Sequence, residues 1–301
     1  MKQFSIFLLA LGFLFFQNIA WADFLEGNQA ALEGDYEKAF HEYLEAAEDG
    51  NSLAQYNVGV LYSSGQAGVR DETQAFRWYL AAAEQGVEQA QLKVASYYSL
   101  GRGTEANMEE AVRWFTIAAD QGSAQGQYMV GGIYVSGYGG MKELDRAFRY
   151  LTLAADQGWP DALGALGAMY ENGQGTEQDY AKALELYQQA TAKGHVGGIA
   201  NLGRLYYLGR GVPQDFDEAR RLYEIAANKG NTTAQVGLGA LYMQGQGVEL
   251  DYATALFWLE VAALGGQDMK GREALREVLS DEQIAEVQNR VADWLAAQQN
   301  Q

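Results

Sequence analysis

The sequence predicts an all-α chain built as a linear array of helix–turn–helix units, and three observations predict it. An Ala-Ala-x-x-Gly marker places its glycine at Gly50, Gly86, Gly122, Gly158, Gly194, Gly230 and Gly266, a step of 36 residues without insertion or deletion. Only Ala190-Thr191 departs from the alanine pair. A tyrosine (Tyr62, Tyr98, Tyr134, Tyr170, Tyr206, Tyr242), a glycine three residues later and an alanine (Ala75, Ala111, Ala147, Ala183, Ala219, Ala255) keep the same step. Self-similarity at a fixed period of this size is the mark of a repeat architecture. Prolines, which break helices, number only 2 in 301 residues.

The first element is an address. Lys2 gives a positive start, Ile6 to Phe16 is an unbroken apolar run, and Ala20-Trp21-Ala22 is a small-residue cleavage signal. The run is too short for a bilayer helix. Cleavage between Ala22 and Asp23 is expected, giving a soluble chain that is periplasmic or secreted and has no membrane span. Missing cysteines fit an oxidising compartment.

Asp23–Gly50 reads as a variant first unit, because Gly27 to Ala39 is shorter than Gly59 to Ala75. Six full units follow: Asn51–Gly86, Val87–Gly122, Ser123–Gly158, Trp159–Gly194, His195–Gly230 and Asn231–Gly266. In the last, Ala234, Leu238, Leu241 and Tyr242 share one helix face. Gly245-Gln246-Gly247 ends that helix and Asp251 caps the next, whose stripe is Ala255, Trp258, Leu259 and Ala262. A small residue recurs inside the first helix of each unit: Gly59, Ala95, Gly131, Gly167, Gly203, Gly239. A mid-helix glycine costs about 1 kcal/mol against alanine, so its recurrence implies a packing demand, close approach of the partner helix. Two capping helices are expected at about Asp268–Leu279 and Asp281–Ala297, the second opened by Ser280-x-x-Gln283 and presenting Ile284, Val287, Val291, Trp294 and Leu295.

The unit A-x(3)-L-G-x-x-Y-x-x-G-x-G-x(7)-A-x-x-W-x-x-x-A-A-x-x-G resembles the Sel-one-like repeat, a subclass of the tetratricopeptide-type α-solenoids. Tyr150, Leu186 and Leu222 replace its tryptophan, and Ala67 replaces the second loop glycine of the first full unit. The shortened first unit resembles an ordinary tetratricopeptide repeat. The resemblance implies a right-handed α-solenoid, a concave face lined by the first helices, and protein–protein interaction, often in envelope assemblies or signalling.

Composition excludes much chemistry. With 39 acidic against 21 basic side chains the net charge is −18, which repels nucleic acid. There is no thiolate for a metal or for nucleophilic attack, and only His41 and His195 offer imidazole. Serine-hydrolase, zinc-protease, calcium-loop and phosphate-loop spacings are absent. The Gly-x-Gly pairs lie between helices and read as turns. No catalytic residue, metal or cofactor is expected, and the chain reads as a non-enzymatic scaffold.

Signature positions carry structure, so a binding site is sought where units differ. If the first helices line the groove, repeat positions 3, 6, 10, 13 and 14 face it. These place Tyr56, Leu92, Tyr128, Val135, Arg204, Tyr207 and Met243 as partner-binding residues, with Asp161, Glu171 and Asn172 making the fourth unit polar. A stripe of apolar and aromatic side chains points to a protein or peptide partner. The alternatives are a secreted factor acting on a host and, remotely, a cell-wall or β-lactam hydrolase.

Overall fold

The computed structural model describes residues 21–264 and 271–299. The expected signal segment lies almost wholly outside them, as do Gly266 and the start of the first C-terminal helix at Asp268. Among the described residues every regular element is helical, with no strand. The helices are α1 (21–33), α2 (Tyr36–Glu48), α3 (Ser52–Ser64), α4 (Glu72–Glu84), α5 (Glu88–Leu100), α6 (Met108–Asp120) and α7 (Ala124–Ser136). A 3-10 turn at Tyr138–Gly140 leads to α8 (Leu144–Asp156), α9 (Pro160–Asn172), α10 (Tyr180–Ala192), α11 (Val196–Leu208), α12 (Phe216–Asn228), α13 (Thr232–Gln244), α14 (Tyr252–Ala263), α15 (Arg272–Val278) and α16 (Asp281–Gln299). Each full repeat thus supplies a first helix A and a second helix B. This is an α-solenoid of the tetratricopeptide and Sel-one-like class. The chain divides into two compact units, Met1–Glu143 and Leu144–Gln301; in the first, each helix from α2 to α7 packs on the next, and in the second each from α8 to α14 does, with α15 and α16 both packed on α14.

Local chemistry sets the boundaries. Asp71, Asn107, Asp179, Asp215 and Asp251 cap the B helices, each side chain accepting from amides of the first turn. The A helices end on a left-handed glycine such as Gly209 (φ 65°). The recurrent tyrosines act through their carbonyls, which receive the amide of the next cap: Asp179 N–H reaches Tyr170 O at 2.9 Å and Asp215 N–H reaches Tyr206 O at 3.0 Å. Their rings are mostly half-buried; Tyr134 alone of the column is buried. The Gly-x-Gly pairs are turns, as their spacing implied. The second glycine does more than turn. A Cβ on Gly211 (φ 69°) would fall 2.6 Å from the carbonyl oxygen of Tyr180.

One core column carries no signature residue. Tyr43, Tyr79, Phe115, Leu151, Tyr187, Tyr223 and Leu259 recur on the B helices and are all buried. They explain the mid-helix glycines. A Cβ on Gly59 would lie 2.7 Å from the Tyr79 ring, and one on Gly167 would lie 2.7 Å from the Tyr187 ring. The glycine therefore makes room for an aromatic side chain, where the sequence suggested close approach of the helices themselves. Burying such a ring contributes about 1.5–3 kcal/mol, more than the glycine costs. Of the tryptophans at the signature position, Trp114 is buried, while Trp78 and Trp258 are half-buried and pack against core clusters that take in their own repeat and the one before it.

A second silent column is glutamine. Gln55, Gln91, Gln127 and Gln235 are buried at the fifth repeat position, and each side-chain amide donates to the carbonyl of the residue eight earlier: Ala47, Ala83, Ala119 and Ala227, at 3.1 to 3.4 Å. Each joins an A helix to the end of the preceding B helix. Leu163 and Ile199 stand in this column in the fourth and fifth repeats.

Only two residues, Gly34 and Asp35, separate α1 from α2. At the other end the Ser280 and Gln283 capping box forms, with Ser280 N–H to Gln283 Oε1 at 3.0 Å and Gln283 N–H to Ser280 Oγ at 3.3 Å. Leu275 and Val287 are buried against Leu256, Phe257 and Leu259, and Glu260 ties down Arg272 and Arg276 at 2.7 Å each. Leu295, expected on the apolar face, is exposed.

Candidate interaction surface

All seven sequence-selected residues lie on A helices and all are half-buried. In the first unit Tyr56 is on α3, Leu92 on α5, and Tyr128 and Val135 on α7. Tyr56 ends a run of rings: its centroid is 5.6 Å from Tyr79, which is 5.5 Å from Tyr97. Tyr79 is buried and its hydroxyl lies 3.0 Å from that of Ser63; burial pushes its pKa up to about 12. In the second unit Arg204 and Tyr207 sit one turn apart on α11, and Met243 is on the neighbouring α13. Tyr207 packs edge-on against Phe216 at 5.6 Å.

The structure overturns one placement. Glu171, expected to make the fourth repeat's surface polar, is buried, with its side chain fully covered. Its Oε2 accepts from the Tyr187 hydroxyl at 2.9 Å and from Arg204 Nη2 at 2.8 Å, and Arg210 Nη1 stands 3.6 Å from Oε1. Arg204 also reaches Asn201 Oδ1 at 3.3 Å. A carboxylate in a low-dielectric interior is costly unless charges and donors meet it; Tyr187 and Arg204 hydrogen-bond Oε2, while Oε1 has the Arg210 charge nearby but no hydrogen bond. Arg204 is thus already engaged within the chain. Burial, reinforced by the Glu171 charge, raises the Tyr187 pKa.

The first unit holds a related cluster that sequence reading missed. Glu72 Oε2 accepts from the Tyr97 hydroxyl at 2.7 Å, and Oε1 receives Arg70 at 2.8 Å and Arg102 at 3.3 Å. The tyrosine hydrogen bond leads the causes that hold the Glu72 carboxyl below its usual range. Arg102 and Arg210 occupy the same repeat position, in Leu100-Gly101-Arg102-Gly103 and Leu208-Gly209-Arg210-Gly211. Both guanidinium groups lie over a ring, Arg102 at 5.6 Å from Tyr97 and Arg210 at 5.4 Å from Tyr180. The leucine before each turn is exposed, Leu100 at 66% and Leu208 at 40%. The signal lay in the sequence as a tetrapeptide repeated once in each unit.

His195 caps α11, its Nδ1 accepting from Gly198 N–H at 3.0 Å, while Nε2 faces Asp161 at 3.6 Å. The imidazole serves a helix end. Asp23, Glu42 and Glu45 bring carboxylate oxygens within 4.8 Å of one another, the one group among the described residues with the spacing to hold a metal ion.

The profile of the Sel1 repeat matches residues 24–51, 52–87, 88–123, 124–159, 160–195, 198–231 and 232–267, nearly the whole array. The chain belongs to the Sel1 repeat family. The profile includes the shortened first unit. This Sel1 repeat protein is similar to the crystal structure of a Sel1 repeat protein from Oxalobacter formigenes, with 31% identity over 83% of this chain and 98% of that one and a TM-score of 0.72. It is also similar to c5321, described as a protective antigen present in uropathogenic Escherichia coli strains displaying an SLR fold. There the identity is 27%, covering 91% of this chain and 68% of that one, with a TM-score of 0.62. No curated protein matches the sequence. Sel1 repeat proteins are generally protein-interaction scaffolds. No helix among the described residues is long and apolar enough to cross a membrane.

Proposed function

We propose that this Sel1 repeat protein is a non-enzymatic scaffold of the bacterial cell envelope that docks a protein or peptide partner on its A helices. The single observation that carries the reading is the exposed leucine beside a carboxylate-anchored arginine, present at one register in both units (Leu100 with Arg102, Leu208 with Arg210). A single exposed leucine is ordinary; what supports a docking surface is its recurrence at one register next to the half-buried apolar side chains of the A helices. The half-buried Tyr56, Leu92, Tyr128, Val135, Tyr207 and Met243 extend that surface as apolar anchors. The N-terminal segment with its Ala20-Trp21-Ala22 site supports export, periplasmic or secreted.

Crosslinked capture from native envelopes tests the reading. Tyr128→Ala with Tyr207→Ala is expected to lose the species captured by wild type while the melting temperature stays within a few degrees. Glu42→Ala, on α2, is expected to capture normally. A stable double variant with full capture would move the site elsewhere. Similarity to the protective antigen favours a second reading, an exported factor that meets a host. Separating periplasm from culture medium distinguishes the two.

A further inference from the structure

The second unit has a pocket of about 390 Å³ between α8, α9 and α10, within the size range of ligand sites. Two departures from the repeat pattern line it. Leu186 stands where Trp78, Trp114 and Trp258 stand in other repeats, and Leu163 stands where four repeats carry the buried glutamine. Trp78 and Trp258 each pack against a core cluster that takes in their own repeat and the one before it. Leu186, a smaller side chain, lines the pocket together with Ala155 and Thr152 of α8. The floor, Leu163 and Leu166, is apolar and buried. Tyr170 forms a wall, with Lys182 Nζ 5.0 Å from its ring centroid. Asp156 and Glu185 are the carboxylates of the rim, against the one ammonium of Lys182.

We propose that this pocket receives a tryptophan side chain from a partner peptide, flanked in that peptide by basic residues. The indole takes the place that three other repeats fill from within. The basic flanks answer the rim's excess of carboxylates and the net charge of −18. The site shares none of the seven residues of the proposed A-helix surface, so each is testable without the other.

Ligand-observed saturation-transfer NMR on the full chain reads binding directly. The probes are acetylated, amidated Lys-Trp-Lys, with Glu-Trp-Glu and Lys-Ala-Lys as controls. Lys-Trp-Lys is expected to show transfer to its indole protons, and the controls much less. Leu186→Trp fills the pocket from inside and is expected to abolish the transfer and raise the melting temperature. Leu163→Gln, which restores the amide common to four repeats, is the second variant and is expected to weaken binding should Leu186→Trp fail to fold. Tyr128→Ala with Tyr207→Ala is expected to leave the transfer unchanged. Absence of transfer from Lys-Trp-Lys, its persistence in both pocket variants, or equal transfer from Glu-Trp-Glu each overturns the proposal.

Discussion

Glu72 in the first unit and Glu171 in the second gather the same partners, a tyrosine hydroxyl and two arginines, in different surroundings. The Glu72 side chain keeps 25% of its exposure, while that of Glu171 keeps none. Water screens the first cluster, so its ion pairs contribute little. The second must satisfy a carboxylate that water cannot reach, so losing one partner there leaves charge unmatched in the interior. One inventory of side chains thus serves as surface decoration in one unit and as a structural keystone in the other.

The largest expected effect breaks the keystone. Arg204→Met is expected to cost about 3–5 kcal/mol, the usual range for stranding a buried charge. Arg102→Met at Glu72 is expected to cost no more than about 1 kcal/mol. Urea denaturation followed by circular dichroism compares them, and equal losses would dissolve the distinction. Replacing Glu171 and Arg204 together by methionine is expected to recover most of the loss, since an apolar pair is often as stable as a buried ionic one.

Next come the glycines beneath the two tyrosines. Overpacking costs about 1–3 kcal/mol, against a gain in helix propensity of about 1 kcal/mol. Gly167→Leu pushes on Tyr187, whose hydroxyl is bound to Glu171, while Gly59→Leu pushes on Tyr79, whose hydroxyl meets only the rim serine Ser63. Thermal melts are expected to rank Gly167→Leu below Gly59→Leu and both below wild type. A melt of Gly167→Leu above wild type would remove the steric role from this column.

Smaller still is the acid response of the first unit. The folded pKa of Glu72 is depressed below the ordinary 4.5. Its contribution is therefore complete above about pH 4.5 and disappears as the pH falls through the lower folded value. Stability measured from pH 6 downward is expected to fall less steeply in Glu72→Gln than in wild type. Identical slopes would mean that the cluster has no influence on folding. Smallest are Leu100→Asp and Leu208→Asp, expected to shift stability by no more than about 0.5 kcal/mol while weakening partner capture. Unchanged capture by both would separate the two leucine turns from binding.

The repeat was legible because its spacing is free of insertions and its turns demand glycine, an alphabet that a 36-residue ruler exposes. The buried B-helix column was hidden because tyrosine, phenylalanine and leucine share it, so no single letter recurs. The glutamine column does recur in four units and could have been found; a polar residue simply does not advertise burial. Glu171 misled for the opposite reason. Position along a helix placed it on the exposed face, and only the long reach of Arg204 and Arg210, from residues 33 and 39 further on, closes over it. Pairings at that separation leave no trace in local periodicity. The seven surface residues were found on the helices expected of them, because their helices follow from the repeat.

The interrupted glutamine column has a mechanical meaning. A hydrogen bond from a buried amide to a helix-end carbonyl fixes an angle, whereas contact between aliphatic groups tolerates sliding. Where Gln55, Gln91, Gln127 and Gln235 act, neighbouring repeats are riveted. At Leu163 and Ile199 the rivet is missing, and beside Ile199 the Thr191 hydroxyl is buried without a partner. The Ile199 joint has a different tie, the buried Glu171 that links α9 to Tyr187 of α10 and Arg204 of α11, while the Leu163 joint between α8 and α9 rests on apolar contact. Hydrogen exchange is therefore expected to be sooner at the helix ends where α8 meets α9 than at the joints held by a glutamine.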